Sequence, residues 1–273
     1  MEIGKDFKDI IRYNKEMTKP MEDKLFFIDK LPPGDRYLFV DFGCADGALI
    51  QNLIGIFGNK SCRYVGYDCS ETMIAFAKTS FSGGPSDSVE FTSDWNTVEQ
   101  DIIEWKKLRY KTVLILSSVI HEIYSYETEE SIKEFWEKTK DFDIVVIRDM
   151  MYADTIKRES DQDSTIRIRK GSSSSALRYL EQFEERWGSI DENKNLVHYL
   201  LKYRYTINWE RECNENYFPI SIKTLIDKME GTLGFVLDYF EKFRVKFIEE
   251  KIYEDFGIVL EDTTHIKAIF RKR

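Results

Sequence analysis

The spacing of apolar positions changes several times along the chain, and those changes divide it. Phe7, Ile10 and Ile11 fall at helical spacing, Pro20 interrupts them, and a second cluster at Leu25, Phe26, Phe27 and Ile28 precedes the Pro32-Pro33-Gly34 break. From Tyr37 short apolar runs take over, at 37–41, 63–67, 89–92, 112–117 and 143–147, with helix-period segments between most of them. Such alternation predicts a parallel sheet with helices on both faces. Ligands in these sheets sit beyond the carboxyl ends of the strands, so those ends are where chemistry is expected.

After residue 150 the alternation lapses for more than eighty residues. A polar run from Lys157 to Gln162 leads into 165–170, which alternates like a strand or ordered arm, and Gly171 with the four serines after it reads as flexible. A helix is expected from Ala176 to Trp187 and another from Leu196, where Leu196/Leu200 and Val197/Leu201 repeat four residues apart. Aromatic and cationic residues interleave at Tyr203-Arg204-Tyr205 and near Trp209, a mixture able to stack bases and hold phosphates or, equally, to build a small core. Strand character returns at 237–240 and 244–248, a polar helical segment covers 249–257, and a closing strand falls within 263–270. We therefore expect an N-terminal helical section at 1–34, an α/β core at 35–150 and 235–273, and a mainly helical insertion at 151–234 between strands 5 and 6 that recognises substrate.

A chain of 273 residues is long enough to bury a large core. Its formal charge of −9 and pI near 5.1 argue against a cationic coat, so a long nucleic-acid duplex is not the expected partner. The insertion holds 13 Lys+Arg against 14 Asp+Glu, which places the excess negative charge outside it and suits a small or single-stranded substrate better than a duplex. Cys44, Cys62, Cys69 and Cys213 show no Cys-x-x-Cys spacing and no histidine at ligand distance, so no metal site is expected and reduced thiols in the cytoplasm are. No run of about 18 apolar residues predicts a membrane span.

The most informative stretch is Tyr37 to Leu49, where an apolar run ends in Asp41 and then in Gly43, Cys44, Ala45 and Gly47. Small residues let the chain turn and approach a ligand, and the following helix presents its first N–H groups to the strand tip. A dinucleotide fingerprint requires a third glycine where Ala48 stands, so a pyrophosphate is disfavoured. The pattern acid-x-Gly-x-Ala-x-Gly resembles the first motif of the class I S-adenosylmethionine-dependent methyltransferases. That family has a second acid at the tip of the next strand, matched by Asp68, 21 residues beyond Gly47.

The resemblance implies a seven-stranded, mostly parallel, doubly wound sheet with an antiparallel last strand, and S-adenosylmethionine as cofactor. It implies that Asp68 accepts the ribose hydroxyls, that Cys69 and Met73 lie beside them, and that Asp94 and Trp95 meet the adenine. Ser117, at the fourth strand tip, joins this set, and the N-terminal helix often serves such enzymes as a lid. Met73 is equally suited to the core, Asp94 to capping a helix, and the first helix to covering the sheet.

Substrate chemistry is expected at the fourth tip, which carries Ser117-Ser118-Val119-Ile120-His121-Glu122 and none of the motifs of DNA amino- or cytosine-methyltransferases. His121 is a candidate base, though a helix-starting histidine bonded to main chain is also common; Glu122 is a weaker candidate. Arg148 and Asp149 end the fifth strand, where the arginine would anchor a substrate anion or the two would neutralise one another. The sequence thus points to methyl transfer onto oxygen or nitrogen of a small molecule or a nucleotide/RNA. The alternative is a cofactor-binding partner or sensor without activity. His265 reads as structural, and His198 is open.

Overall fold

Strand β1 (Tyr37–Phe42) shows no polar alternation because both of its faces are covered: Leu38 and Val40 enter one hydrophobic cluster, Tyr37 and Phe39 another. The computed structural model describes residues 21–58, 61–81, 88–171 and 174–273. The helix expected around Phe7, Ile10 and Ile11 lies outside them; of the N-terminal section they include the short helix α1 (Met21–Lys24) and a 3-10 turn at Ile28–Lys30.

The chain then alternates β1, α2 (Ala48–Phe57), β2 (Cys62–Tyr67), α3 (Glu71–Ser80), β3 (Val89–Thr92), α4 (Trp95–Lys107) and β4 (Lys111–Ser117). Two helices, α5 (Ile120–Tyr126) and α6 (Glu129–Thr139), lead to β5 (Ile144–Met150). Helices α7 (Gln162–Gly171), α8 (Ser174–Trp187), α9 (Asn193–Lys202), α10 (Trp209–Asn214) and α11 (Ile222–Asp227) precede β6 (Phe235–Phe243), and α12 (Lys246–Phe256) precedes β7 (His265–Lys272). The strands form one sheet in the order β3-β2-β1-β4-β5-β7-β6. All neighbours are parallel except β7, which runs antiparallel to both β5 and β6. The expected seven-stranded doubly wound sheet with an antiparallel last strand is borne out.

Helices α2 and α3 cover one face through Leu49, Ile50, Leu53, Ile74 and Ala77. Helices α4, α5, α6 and α11 cover the other through Val98, Ile120, Trp136 and Leu225. The chain crosses from β1 to β2 and β3 on one side and then from β3 back to β4 on the other, so a crevice opens above β1 and β4 where strand order reverses. A third cluster joins α8, α9 and α10 to α12 through Phe183, Leu196, Tyr199, Trp209 and Ile252.

Three local expectations fail, the first being that Gly171 and the serines after it are flexible: Gly171 ends α7 and Ser174 begins α8, with 172 and 173 outside the described residues. Residues 165–170, read as a strand or arm, lie within α7: Thr165 and Ile168 are buried three residues apart while Ile166 is 45% exposed, the signature of a helix face. Strand character was also expected at 244–248, but β6 ends at Phe243 and α12 begins at Lys246; the apolar residues Phe247 and Ile248 belong to the helix.

Candidate active site

The loop after β1 turns through three left-handed positions: Gly43 at φ 77°, Ala45 at φ 46° and Gly47 at φ 76°. It is tied to the next strand, since the N–H groups of Gly43 and Cys44 both donate to the Tyr67 carbonyl, at 2.8 and 3.0 Å. Asp46 Oδ1 accepts from Ala48 N–H at 3.1 Å and starts α2. The glycines make room for protein: a Cβ on Gly47 would stand 2.7 Å from the Phe91 ring, and one on Gly43 would stand 3.0 Å from Val119. Gly47 does not line the cleft above the loop, so its smallness serves helix-on-sheet packing.

Asp68 completes the tie. Its Oδ2 accepts from Ala45 N–H at 3.1 Å and its Oδ1 from Ser70 N–H at 2.9 Å, while Ser70 caps α3 as expected. Burial raises the Asp68 pKa, opposed by these two donors. Asp41 is 4% exposed at the cleft floor. Burial foremost, with Asp68 and Asp46 nearby, raises its pKa to about 7 against the pull of Lys24 from α1. Burial in turn lowers the Lys24 pKa, with Arg148 adding to it.

The cleft has a volume of about 350 Å³. Of the positions singled out from sequence, Asp41, Gly43, Cys44, Ala45, Asp68, Cys69, Met73, Trp95, Ser117 and Glu122 line it. Cys44 is buried and its thiol is pushed strongly upward by burial, so it acts as a small apolar residue. Along one wall Phe42, Tyr67, Trp95 and Phe135 interlock, with Phe42 5.5 Å and Tyr67 5.1 Å from Trp95 between ring centroids. The Trp95 indole N–H and the Ser117 hydroxyl are both buried with no hydrogen-bond partner among the described residues.

Four singled-out positions, Gly47, Asp94, His121 and Arg148, are absent from the cleft lining. Asp94 is exposed and caps α4, its Oδ1 accepting from the backbone and side-chain nitrogens of Asn96 at 3.0 and 2.9 Å. His121 is buried, with Nδ1 2.7 Å from Asp149 Oδ1 and Nε2 3.9 Å from Glu215 Oε2. Burial works against its charge, yet the carboxylates of Asp149, Glu122 and Glu215 raise its pKa. Arg148 and Asp149 do not pair: successive strand residues point to opposite faces, so Asp149 meets His121 while Arg148 Nη1 donates to Ser118 Oγ at 3.0 Å. Arg148 Nε is buried with no hydrogen-bond partner among the described residues. His265 is buried with its pKa lowered by burial to about 3, and His198 Nε2 accepts from Tyr217 N–H at 3.3 Å, so both are structural.

Glu122, beside His121, does reach the cleft. Its side chain is 23% exposed, Arg211 Nη2 of α10 donates to it at 3.1 Å, and burial first of all raises its pKa to about 7. Sequence reasoning missed Lys24, the place of Arg211 on the cleft, and the Phe42, Tyr67 and Phe135 part of the aromatic wall. The wall had a signal, because Phe42 and Tyr67 flank the two acids of the motif. Arg211 had none.

No family model and no curated protein matches this sequence. Solved structures with a similar course of chain include the cyclopropane synthase MmaA2 from Mycobacterium tuberculosis, at 10% identity, covering 92% of this chain and 84% of that one with a TM-score of 0.47. The plantazolicin methyltransferase BamL, solved with a triazolic desmethylPZN analog and SAH, gives 13% identity, 97% and 90% coverage and a TM-score of 0.49. The methyltransferase domain of a bacterial CtHen1 gives 10%, 92%, 97% and 0.47. Among the described residues no helix is long and apolar enough to cross a membrane, and no cluster of side chains could hold a metal ion.

Proposed function

We propose that this chain is an S-adenosylmethionine-dependent methyltransferase acting on an oxygen or nitrogen of a small-molecule acceptor. The reading is carried by one juxtaposition: the carboxylate of Asp68, clamped to the Ala45 turn, stands beside the buried carboxylate of Asp41 in a crevice at the strand-order reversal. When bound, S-adenosylmethionine supplies a methyl group on a sulfonium, which a nucleophile displaces in line. The residues fit that cofactor. Asp68 has oxygens to accept ribose hydroxyls, and Asp41 offers negative charge beneath the loop. Trp95 and Met73 give an apolar face to adenine, and the unpartnered Trp95 N–H and Ser117 hydroxyl are donors left for a ligand. Asp94 then serves the site by starting the helix that carries Trp95.

For the acceptor, two cleft carboxylates have a pKa of about 7, Asp41 and Glu122, and Glu122 is the one just beyond the β4 tip, away from the cofactor turn, and suited to removing a proton. His121 supports it from behind. The lining carries Asp41, Asp46, Asp68, Glu122, Glu127 and Glu134 against Lys24, Lys138 and Arg211, a balance that repels an extended polyanion and favours a small acceptor over RNA.

Calorimetric titration with S-adenosylmethionine and S-adenosylhomocysteine tests the cofactor: saturable binding of both is expected, and no binding of either refutes the reading. Incubation with methyl-labelled cofactor and cell extract, with and without ribonuclease, tests the acceptor. Label in a small-molecule fraction insensitive to the nuclease is expected, and label that ribonuclease releases refutes the small acceptor.

A further inference from the structure

The segment around α10 is docked on α5 by polar contacts from both sides. Asn216 N–H donates to Ser125 Oγ at 2.7 Å and Ser125 Oγ donates to the His121 carbonyl at 2.6 Å. Tyr126 Oη donates to Glu215 Oε1 at 3.2 Å. From below, the fully buried Lys202 donates to the carbonyls of Glu212 and Glu215 at 2.7 and 2.6 Å and closes the end of α10. Glu215 itself is 3% exposed.

Within this contact charged groups alternate in sign from the interior to the cleft. Asp149, inaccessible to solvent, accepts from Ile120 N–H and Met150 N–H at 2.6 and 2.7 Å and faces His121 at 2.7 Å. His121 presents its other nitrogen to Glu215 at 3.9 Å. Glu215 Oε1 accepts from Arg211 Nε at 2.8 Å, and Arg211 Nη2 donates to Glu122 at 3.1 Å. Burial opposes the charged ring, but carboxylates on both sides of it, at 2.7 and 3.9 Å, favour the imidazolium and raise the His121 pKa. The order is then negative, positive, negative, positive, negative.

We propose that Glu215, which holds Arg211, and His121, which sits beside Glu122, are positioning residues that together with Arg211 set the charge state of Glu122, so that the segment after β5 governs the proton acceptor of the core. This rests on the reading of Glu122 as the base. The groups facing Glu122 are His121 of its own helix, Asp149 of β5, Arg211 of α10 and Glu215 just beyond it. His121 and Arg211 hold its pKa down; Glu215 and Asp149 hold it up. Glu215 also shares the Arg211 guanidinium with Glu122, so removing its charge leaves more of that positive charge to Glu122, and both effects have the same sign.

The test is carboxyl NMR on protein carrying ¹³C-glutamate, with the Glu122 signal assigned by its loss in Glu122→Gln and followed across pH. Arg211→Gln and His121→Gln are expected to raise the Glu122 midpoint, and Glu215→Gln to lower it, each by about half a pH unit or more. Arg211→Lys should restore much of the Arg211→Gln shift. Shifts all in one direction, as general loosening would produce, overturn the proposal, as does a Glu122 signal that none of the variants moves. Circular dichroism checks folding; should Glu215→Gln not fold, the Arg211→Gln and Arg211→Lys pair decides, since Arg211 is partly exposed. The measurement needs no cofactor. Absent binding of S-adenosylhomocysteine to the wild type would remove the methyl-transfer reading while the alternating shifts stood, and normal binding with an unmoved Glu122 would remove this proposal alone.

Discussion

Replacing Asp68 by alanine separates the two things its carboxylate does. In the free protein it accepts from Ala45 and Ser70 N–H groups; in the proposed complex it also accepts the ribose hydroxyls. Two hydrogen bonds to a charged acceptor contribute about 1.5–3 kcal/mol each, so Asp68→Ala should weaken S-adenosylhomocysteine at least about 100-fold by calorimetry. The two N–H groups left behind face a solvent-accessible cleft and cost less, about 2 kcal/mol together, which burial of the carboxylate already offsets in part. For a chain of this size that is a fall in Tm of no more than about 4–8 °C. An analogue lacking the 2′ and 3′ hydroxyls distinguishes loss of a ribose contact from loosening of the turn. It should bind the wild type weakly and bind Asp68→Ala no worse, because the interaction it lacks is the one the variant has lost. Equal weakening of both ligands by Asp68→Ala, or affinity within about threefold of wild type in a folded variant, would refute the ribose assignment.

Three further outcomes follow from the same geometry. Gly47→Ala combines a left-handed φ with a Cβ 2.7 Å from Phe91, and should cost about 2–4 kcal/mol in chemical denaturation; adding Phe91→Leu should recover the overlap share but not the backbone share. If Asp41 with its pKa of about 7 ionises to meet the cationic cofactor, binding below that pH releases a proton and weakens by up to about tenfold per unit. Calorimetry in two buffers of different ionisation enthalpy should show the release, Asp41→Asn should abolish it, and its absence in wild type would place the sulfonium elsewhere. Burial lowers the Lys202 pKa to about 7, below its unfolded value, so the folded state holds fewer protons between pH 7 and 10 and wild-type stability should rise across that window relative to Lys202→Met, by at most about 1.4 kcal/mol per unit; parallel curves would argue that Lys202 is not desolvated.

Much of the fold was legible because the strands of a doubly wound sheet are buried on both faces and so announce themselves as unbroken apolar runs. Tyr37–Phe42 and Ile144–Met150 are the clearest cases, each ending near an acid. The misread stretch 165–170 carries two periods at once. In six residues, Ile166 and Ile168 satisfy a period of two while Thr165 and Ile168 satisfy a helical spacing, and packing against the third cluster decided for the helix.

The candidate site divides along the same line. Residues on the β1 loop and the β2 tip were legible, since a sharp turn next to a strand end restricts which side chains fit. Of His121 and Glu122 the sequence favoured His121 as the base, but it could not fix which of the two faces the cleft. Adjacent helix positions point about 100° apart, so when one faces β5 the other faces away, and the sequence does not say which. The structure turns His121 to Asp149 and leaves Glu122 to the cleft. Arg211 was illegible for a different reason: its contact with Glu122 spans 89 residues and depends on α10 being docked by Ser125, Tyr126 and Lys202, none of which carries a local pattern. Position in such a contact comes from the packing of distant elements, so substitutions in α9 or α10 far from any motif are the ones to examine when the acidity of Glu122 is measured.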